Sequence, residues 1–309
     1  MRTATAFPTA TTTKRLSAAE VATFQADGFV VGRGILAPAD LQPVRDEISA
    51  WLGARARQLH AEGKLAELHA DADFHTRYGL LMAQCGAIQD GFDVAFLRGA
   101  ATFEFFRTPA LLDAVEDLIG GEISLNPITH YRAKPPVGQT RDDLKGYFAV
   151  PWHQDSGVIV EEADASAIIT TWIPLVDVSE EMGCLQALPQ GHVHGHLPHV
   201  SVPGYGTSIR PSAMPRGTPR KLEVRAGDVV FMHRHCPHHS GPNRSRRCRW
   251  SLDMRYHRSG DNSGRPWQPE AVLRSATRPL ELDHGAWSRA WEHALANGKG
   301  HVAHRIAAQ

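Results

Sequence analysis

The chain is poor in cysteine, has no excess charge of either sign and contains no long apolar run. Only four of its 309 residues are cysteines, and no two of them form a CxxC pair. This is not the pattern of a small disulfide-stabilised secreted domain, so we expect reduced thiols in a cytoplasmic protein. No apolar run reaches the roughly 20 residues that a membrane-spanning helix needs, so we expect no membrane partner.

Charge is balanced. The sequence holds 33 basic and 33 acidic side chains, which gives a formal net charge of zero. Proteins that bind nucleic acids or anionic membranes usually carry a basic excess, so we expect neither kind of partner. Residues 1–16 begin with a stretch rich in Thr and Ala that lacks the apolar segment of a signal peptide. We interpret them as a loose N-terminal tail.

The first 120 residues carry mainly helical signals. The stretch Ser17-Ala18-Ala19-Glu20 is a capping box, and Gly28 is a suitable stop, which predicts a helix over 18–27. Apolar residues recur at helical spacing after Pro38. Thr108-Pro109 begins a further helix that Gly120-Gly121 ends.

Beyond residue 122 the apolar period changes from that of a helix to that of a strand. The segments 137–147 and 190–220 interrupt the strands, the first as a polar loop and the second as a long excursion rich in Gly, Pro and His. Many short strands after a helical half predict an antiparallel jelly roll with helices packed outside. The predicted strands are 123–131, a short one around His153, 168–174, 183–188, 221–224, 229–233 and 249–257.

We therefore predict a mainly β fold with flanking helices, in which residues 17–309 form a single domain. Within it, residues 17–120 support a jelly-roll core at about 121–260. Residues 261–309 form a C-terminal extension with one helix near 286–296.

The stretch Pro151-Trp152-His153-Gln154-Asp155 places an imidazole and a carboxylate two positions apart. Side chains alternate between the faces of a strand, so His153 and Asp155 emerge on the same face. Such a pair is common and by itself weak evidence for a metal. A second histidine from another strand would complete a two-histidine, one-carboxylate triad, which suits non-heme Fe(II).

The second histidine must come from the tract His233–Asn243, which contains several imidazoles. A zinc site built from this tract alone lacks regular CxxC or HxxxH spacing. His238 and His239 are adjacent, so they cannot both face one metal from extended backbone. His233, at the end of a predicted strand, is a third candidate.

Arg249 begins a strand whose side chains alternate cleanly between apolar and polar. A lone arginine on a strand is usually a surface residue. Beside a metal site, however, its planar fork fits a carboxylate, so Arg249 is a candidate clamp for a dicarboxylate cosubstrate. Asp253 and Arg255 lie on the same face of this strand, and we expect them to pair with each other.

Several of these motifs together resemble the phytanoyl-CoA dioxygenase family, over roughly residues 17–260. The resemblance keeps the motif order of that family. The residues that carry it are Asp27-Gly28-Phe29-Val30-Val31, Pro151–Asp155, Thr171-Trp172-Ile173-Pro174-Leu175, Gly183-Cys184-Leu185, and His238-His239-Ser240-Gly241-Pro242-Asn243 with Arg249.

The resemblance implies a double-stranded β-helix that holds Fe(II) and uses 2-oxoglutarate and O2. It implies that His153, Asp155 and His238 are the iron ligands, since only His238 has a serine and an asparagine at the family's offsets. It further implies that Arg249 binds the distal carboxylate of 2-oxoglutarate with help from Ser240. Gln154, Trp172 and His130 match positions that line the cosubstrate pocket.

The implied activity is hydroxylation of an unactivated C–H bond in a small molecule, with release of succinate and CO2. Desaturation, epimerisation or ring formation by the same chemistry are alternatives. A cupin-like protein that binds a metal without turnover is an alternative of another class. Halogenating relatives have a small residue in place of the carboxylate ligand, and Asp155 argues against that activity.

Overall fold

Helices occupy much of the chain before residue 120, as the sequence predicts. The computed structural model describes residues 15–140, 148–203, 206–298, 300–301 and 303–306. The strand β1 (Phe29–Gly32) follows the first helix. The helices of this part are α1 (Ala18–Asp27), α2 (Pro38–Ala61), α3 (Arg77–Gln84), α4 (Val94–Leu97), α5 (Ala100–Phe105) and α6 (Pro109–Ile119).

The predicted capping box of α1 is confirmed. The Ser17 hydroxyl accepts a hydrogen bond from the Glu20 backbone N–H at 3.2 Å, and the Glu20 carboxylate accepts one from the Ser17 backbone N–H at 2.8 Å. Gly28 ends the helix with φ 81°, a left-handed conformation that glycine adopts without strain. The chain therefore turns directly into β1.

The second part of the chain is mainly β. The helix α7 (His284–Asn297) follows the last strand. The strands are β2 (Ile123–Leu125), β3 (His130–Lys134), β4 (Val150–His153), β5 (Ile168–Pro174), β6 (Leu185–Ala187), β7 (His199–Val202), β8 (Gly206–Ile209), β9 (Arg220–Leu222), β10 (Val229–His233), β11 (His238–Ser240), β12 (Arg249–Arg258) and β13 (Ala271–Arg274).

These strands form two antiparallel sheets and a hairpin. The larger sheet has the order β1-β10-β5-β12-β2-β13, with β3 also paired to β12. The smaller sheet has the order β4-β11-β6-β9, and β7 pairs with β8. Strands that are distant in sequence are therefore neighbours, as in the predicted jelly roll.

The core lies between the helices and the larger sheet. On β12 the side chains of Trp250, Leu252, Met254 and Tyr256 are buried, as the alternation predicted. Residues of the opposite face, Arg249 among them, line a cavity. The sheet thus separates the hydrophobic core from the pocket.

The predicted strand over 123–131 is wrong in its continuity. It is divided into β2 and β3 because Asn126 redirects the backbone. The Asn126 side chain accepts a hydrogen bond from the Ile128 N–H at 3.0 Å and donates one to the Ser263 carbonyl at 2.7 Å. Both halves still pair with β12, on the side opposite β5, so the segment keeps its place in the larger sheet on either side of a local excursion.

The segment 190–220 is more regular than its Gly, Pro and His content predicted. It contains the hairpin of β7 and β8 and the first residue of β9. Ser208 donates a hydrogen bond to the Trp152 carbonyl at 3.1 Å, which fixes the hairpin beside β4. Of the predicted polar loop at 137–147, residues 141–147 lie outside the described residues.

The chain termini differ in part from the expectations. Residues 1–14 of the predicted tail lie outside the described residues, but Leu16 is buried and its N–H donates to Asp117 at 2.9 Å. At the other end, α7 confirms the predicted helix, whereas β13 was not anticipated. No helix within the described part of the chain has the length and apolarity needed to cross a membrane.

Candidate metal centre

Two strands of the smaller sheet bring two imidazoles and a carboxylate together. His153 is the last residue of β4 and His238 the first of β11, and the two are paired in register. Asp155 begins a short 3-10 turn, Asp155–Val158, one residue after the end of β4. One ligand atom from each of the three residues lies within 4.8 Å of the others.

The structure corrects how Asp155 reaches this position. The strand ends at His153, so Asp155 does not lie on a strand as predicted. Gln154 nevertheless keeps an extended backbone, with φ −120° and ψ 144°. Because the alternation continues through Gln154, the side chains of His153 and Asp155 still emerge on the same side.

Backbone carbonyls orient both imidazoles. Nδ1 of His153 lies 2.9 Å from the Pro151 carbonyl, and Nδ1 of His238 lies 3.0 Å from the Cys236 carbonyl. Carbonyls only accept, so Nδ1 carries the proton in each ring and Nε2 keeps a lone pair for a metal. Burial, with the neighbouring His238, lowers the pKa of His153 to about 3, which keeps that ring neutral.

Asp155 is held on both sides. One carboxylate oxygen accepts a hydrogen bond from the guanidinium of Arg255, and the other accepts one from the hydroxyl of Thr170. Burial alone would raise the pKa of Asp155, but the charge of Arg255 opposes it and holds the pKa well below its usual range. Each oxygen retains a second lone pair, so the carboxylate can still bind a metal.

Arg255 does not pair with Asp253 as predicted. Asp253 instead accepts from Arg132 on β3 at 3.0 Å. Alternation places Asp253 and Arg255 on one face but does not identify the neighbours that approach from other elements.

The donor set fits Fe(II). Two neutral imidazoles and one carboxylate are the ligands of the facial triad that leaves positions open for other molecules. All three residues line a cavity of about 720 Å³, so these positions face free space.

Arg249 lines the same cavity and is buried. Nη1 donates to the Gly183 carbonyl at 2.7 Å, and the guanidinium carbon lies 5.3 Å from the ring centre of Trp172. The buried Nε has no hydrogen-bond partner, and burial lowers the pKa of Arg249 to about 10. A buried arginine with unused donors requires an anion, so this residue fits one carboxylate of 2-oxoglutarate.

Lys134, which sequence reasoning missed, lies opposite Arg249 on β3. Its Nζ donates to the Ser240 hydroxyl at 2.8 Å and to the Gly241 carbonyl at 2.5 Å. Burial and the charge of Arg249 hold the pKa of Lys134 well below its usual value. The Ser240 hydroxyl accepts this bond from Lys134 and also lines the cavity, and its predicted role of assisting Arg249 stays a prediction.

The other predicted pocket residues divide into two groups. Trp172 and His130 line the cavity, and His130 pairs with Asp93 at 2.6 Å. Gln154 does not line it, because its amide group is bonded elsewhere. That amide donates to the Gly195 and His235 carbonyls at 2.9 and 2.7 Å, which makes Gln154 a buried connector between loops.

The remaining histidines of the tract His233–Asn243 lie outside the triad. The ring of His239 lies 4.2 Å from that of Trp152. The ring of His233 lies 5.2 Å from that of His235, and neither belongs to the group of His153, Asp155 and His238. Cys236 is buried, and burial raises the pKa of its thiol, so it has the character of a packing residue.

Thr170, Arg255 and Arg265 also line the cavity and were not assigned to the site from the sequence. Alternation along β12 puts Arg255 on the face of Arg249, so its presence at the pocket could have been predicted. The sequence does not indicate that Thr170 and Arg265 line the cavity, because their positions depend on how separate segments pack together.

One family profile, described as Phytanoyl-CoA dioxygenase (PhyH), matches residues 24–251. A relative from Caenorhabditis elegans, described as a probable phytanoyl-CoA dioxygenase, is 30% identical over 164 residues. That match covers 50% of this chain and 50% of the relative, so the chain spans about half the length of this curated protein.

Two solved structures show a similar fold. ThoJ, described as a non-heme monooxygenase, superposes with a TM-score of 0.61 at 19% identity, covering 89% of this chain and 94% of its own. SnoK, described as a non-heme alpha ketoglutarate dependent carbocyclase from nogalamycin biosynthesis, gives a TM-score of 0.53 at 18% identity, with coverage of 90% and 98%. The predicted jelly-roll fold is thereby confirmed.

Proposed function

The chain belongs to the phytanoyl-CoA dioxygenase family, as its motifs predicted, and from this premise we propose that it is an Fe(II)- and 2-oxoglutarate-dependent dioxygenase. The substrate is a small organic molecule that is hydroxylated at an unactivated C–H bond, with release of succinate and CO2. The observation that supports this most is the meeting of His153, Asp155, His238 and the incompletely bonded Arg249 in one cavity.

His153 and His238 would bind the iron through Nε2, and Asp155 through a carboxylate oxygen. When bound, Fe(II) supplies the activation of O2 that allows a C–H bond to be oxidised. The protein's own part is orientation. The carbonyls of Pro151 and Cys236 fix the two imidazoles, while Arg255 and Thr170 fix the carboxylate.

Arg249 would hold the distal carboxylate of 2-oxoglutarate. Its Nη1 is anchored on the Gly183 carbonyl, and the side chain lies against Trp172, so its direction is set before any ligand arrives. A donor that is already oriented loses little entropy on binding. Lys134, whose Nζ donates to Ser240 and Gly241, would hold these two groups in place beside Arg249.

A cytoplasmic location is part of this proposal. Its support is that Cys85, Cys184, Cys236 and Cys248 all remain free thiols. Free thiols are usual in a reducing compartment.

Succinate release tests the proposed activity. The purified chain, supplied with Fe(II), ascorbate and 2-oxoglutarate in air, is expected to form succinate slowly even without substrate. His153→Ala is the matched control and should form none, because it leaves only two ligands. Absence of succinate from the wild-type chain, together with retained metal, would instead favour the non-catalytic metal-binding alternative.

A further inference from the structure

The cavity around the candidate metal centre carries more positive than negative side chains. Among the described residues that line it, four are arginines and two are carboxylates, namely Arg132, Arg249, Arg255 and Arg265 with Asp155 and Asp253. Two of the arginines are paired, Arg132 with Asp253 and Arg255 with Asp155. In the proposed function Arg249 binds the cosubstrate, which leaves Arg265 without an assigned partner.

Arg265 is fixed in place yet has unused donors. Its Nε donates to the Val158 carbonyl at 3.2 Å, and the other two guanidinium nitrogens have no hydrogen-bond partner in the part of the chain that the structure describes. Burial, with the nearby charge of Arg255, lowers the pKa of Arg265 to about 10. The charge of Asp93 opposes this shift only in part, and no carboxylate among the described residues forms an ion pair with Arg265. Partial burial of a charged group without direct pairing is costly, so the position favours an anion.

Arg265 is close to the metal centre in the fold. Its anchor, Val158, is the last residue of the 3-10 turn that begins with Asp155. A ligand held by Arg265 would therefore lie within the reach of a small molecule from the metal position. His304 also lines this part of the cavity, and burial and the charge of Arg265 lower its pKa, so its ring is neutral and able to donate one N–H.

Arg265 and Arg249 lie in different regions of the cavity. Arg249 and Arg255 are six positions apart on β12, which corresponds to roughly 20 Å along a strand. Arg255 contacts Asp155, and its charge acts on Arg265, whereas Arg249 lies at the other end of β12 beside Lys134. The cavity of about 720 Å³ has room for a second small molecule beside 2-oxoglutarate.

We propose that Arg265 binds an anionic group of the substrate, a carboxylate or a phosphate, and so orients the substrate toward the metal centre. This inference rests on the proposed function and specifies the substrate class of that site. The substrate is then a small organic anion. Its charged group contacts Arg265 beside the Asp155–Val158 turn, and its reacting carbon lies nearer to the metal.

Trifluoroacetate and trifluoroacetamide form a matched pair of probes that are small enough for any anion subsite. The full-length protein is first saturated with Zn(II) and 2-oxoglutarate, so that the metal position and Arg249 are occupied. Binding is followed by ¹⁹F NMR line broadening. Wild-type protein should bind trifluoroacetate and not the amide. Arg265→Gln should weaken trifluoroacetate binding roughly 10- to 100-fold, as expected for loss of a charge-assisted hydrogen bond.

Two controls define the result. Arg265→Lys should retain part of the affinity, since it keeps the charge. Arg258→Gln removes an exposed charge at the end of β12, outside the cavity, and should change nothing. The proposal is overturned if wild-type protein fails to prefer trifluoroacetate, including the case in which neither probe binds, or if Arg265→Gln binds it as wild type does.

Competition experiments identify the anion that the subsite prefers, and exchange of the metal locates the subsite. Displacement by acetate or by inorganic phosphate shows which charged group the subsite prefers. Replacing Zn(II) with paramagnetic Co(II) should further broaden the bound ¹⁹F signal. Absence of that broadening would overturn the placement beside the metal.

These measurements need no turnover, so they separate the inference from the proposed activity. If Arg265-dependent binding occurs but the iron-loaded protein never forms succinate, the anion subsite stands and the proposed oxygenase activity fails. If succinate forms but trifluoroacetate binding does not depend on Arg265, the activity stands and the anion subsite fails.

Discussion

Adjacent residues on β11 have opposite roles because side chains alternate along a strand. His238 lies beside His153 on the neighbouring strand β4. The side chain of His239 points to the other face of the sheet and packs on Trp152. His233 lies at the end of β10, close to His235. One position along the strand therefore decides which imidazole can bind a metal.

His238→Ala is expected to abolish Fe(II) binding and succinate release, since the remaining His153 and Asp155 supply only two ligands. His239→Ala and His233→Ala should retain the metal and measurable turnover. Elemental analysis of the purified variants, alongside succinate release, checks this. Loss of iron from His239→Ala with retention in His238→Ala would show that the assignment is off by one residue.

Arg249→Ala is expected to retain Fe(II) but to bind 2-oxoglutarate much more weakly. A charge-assisted hydrogen bond contributes about 1.5–3 kcal/mol. Loss of it corresponds to roughly a 10- to 100-fold weaker affinity. Calorimetric titration of 2-oxoglutarate into Zn(II)-loaded protein measures the change, with exposed Arg258→Ala as the control. Equal affinities in wild type and Arg249→Ala would exclude the clamp.

Arg255→Met is expected to weaken metal binding, because Arg255 holds one oxygen of Asp155 in place. Removing a group that orients a ligand typically weakens metal affinity roughly 10- to 100-fold. Arg132→Met is the matched control, since Arg132 pairs with Asp253 and does not contact the triad. Competition with a metal chelator gives the affinities. If both variants bind Co(II) as tightly as wild type, Arg255 has no orienting role.

Residue spacing could identify candidate groups but not all of their partners. His153 and Asp155 follow from alternation around Gln154, and Arg249 from alternation along β12. The Arg255–Asp155 pair could not be predicted, because it joins positions 100 residues apart through packing of the two sheets. Lys134 was missed for the same reason: its proximity to Arg249 depends on the register of β3 with β12.

At the scale of elements, the turn before β6 supports the site. Gly183 has φ 71°, and its carbonyl accepts the hydrogen bond from Nη1 of Arg249. A Cβ at this position would approach the Pro242 carbonyl oxygen to 2.9 Å and the Gly241 carbonyl oxygen more closely still. The close approach of two backbone segments here therefore requires glycine.

Gly183→Ala is expected to lower both stability and affinity for 2-oxoglutarate, because relief of the clash displaces the carbonyl that anchors Arg249. Gly120→Ala is a matched control: Gly120 has φ 87°, but a Cβ there meets nothing within 4 Å. The control should lose about 1–3 kcal/mol of stability through backbone strain alone and keep its cosubstrate affinity. Thermal unfolding and calorimetry distinguish the two effects. An unchanged affinity in Gly183→Ala would contradict the anchoring role.

Elements with strong local signals were predictable, and elements formed by distant contacts were not. The helix α1 carries its capping box and terminal glycine in its own sequence. The β7–β8 hairpin lies in a segment of weak periodicity, and its position depends on contacts such as Ser208 to Trp152. The division of β2 from β3 depends likewise on Asn126 meeting Ser263.

At the scale of the whole molecule, partly buried histidines make stability depend on pH. Three of them lie outside the metal site, and burial is the main reason for their lowered pKa values. The pKa is about 4 for His196, about 4 for His233 and about 3 for His235, where Arg234 adds to the effect. In an unfolded chain the same imidazoles have a pKa near 6.5.

The sign of the effect follows from proton uptake. Above about pH 6.5 these histidines are neutral in both the folded and unfolded states, so they do not affect stability. Between pH 6.5 and about 4 the unfolded chain binds protons that the folded chain excludes. The free energy of unfolding must therefore decrease as the pH falls through this window.

The variant His196→Gln/His233→Gln/His235→Gln should accordingly show a shallower loss of stability between pH 6.5 and 4 than wild type. Both proteins are unfolded with urea in the presence of a metal chelator, so that His153 and His238 contribute equally and cancel in the comparison. The slope of unfolding free energy against pH reports the difference in bound protons, up to three per molecule for these groups. The corresponding single variants keep the test interpretable if the triple variant folds poorly, since each should remove part of the slope. Equal slopes in wild type and all variants would show that these imidazoles titrate alike in the folded and unfolded chain.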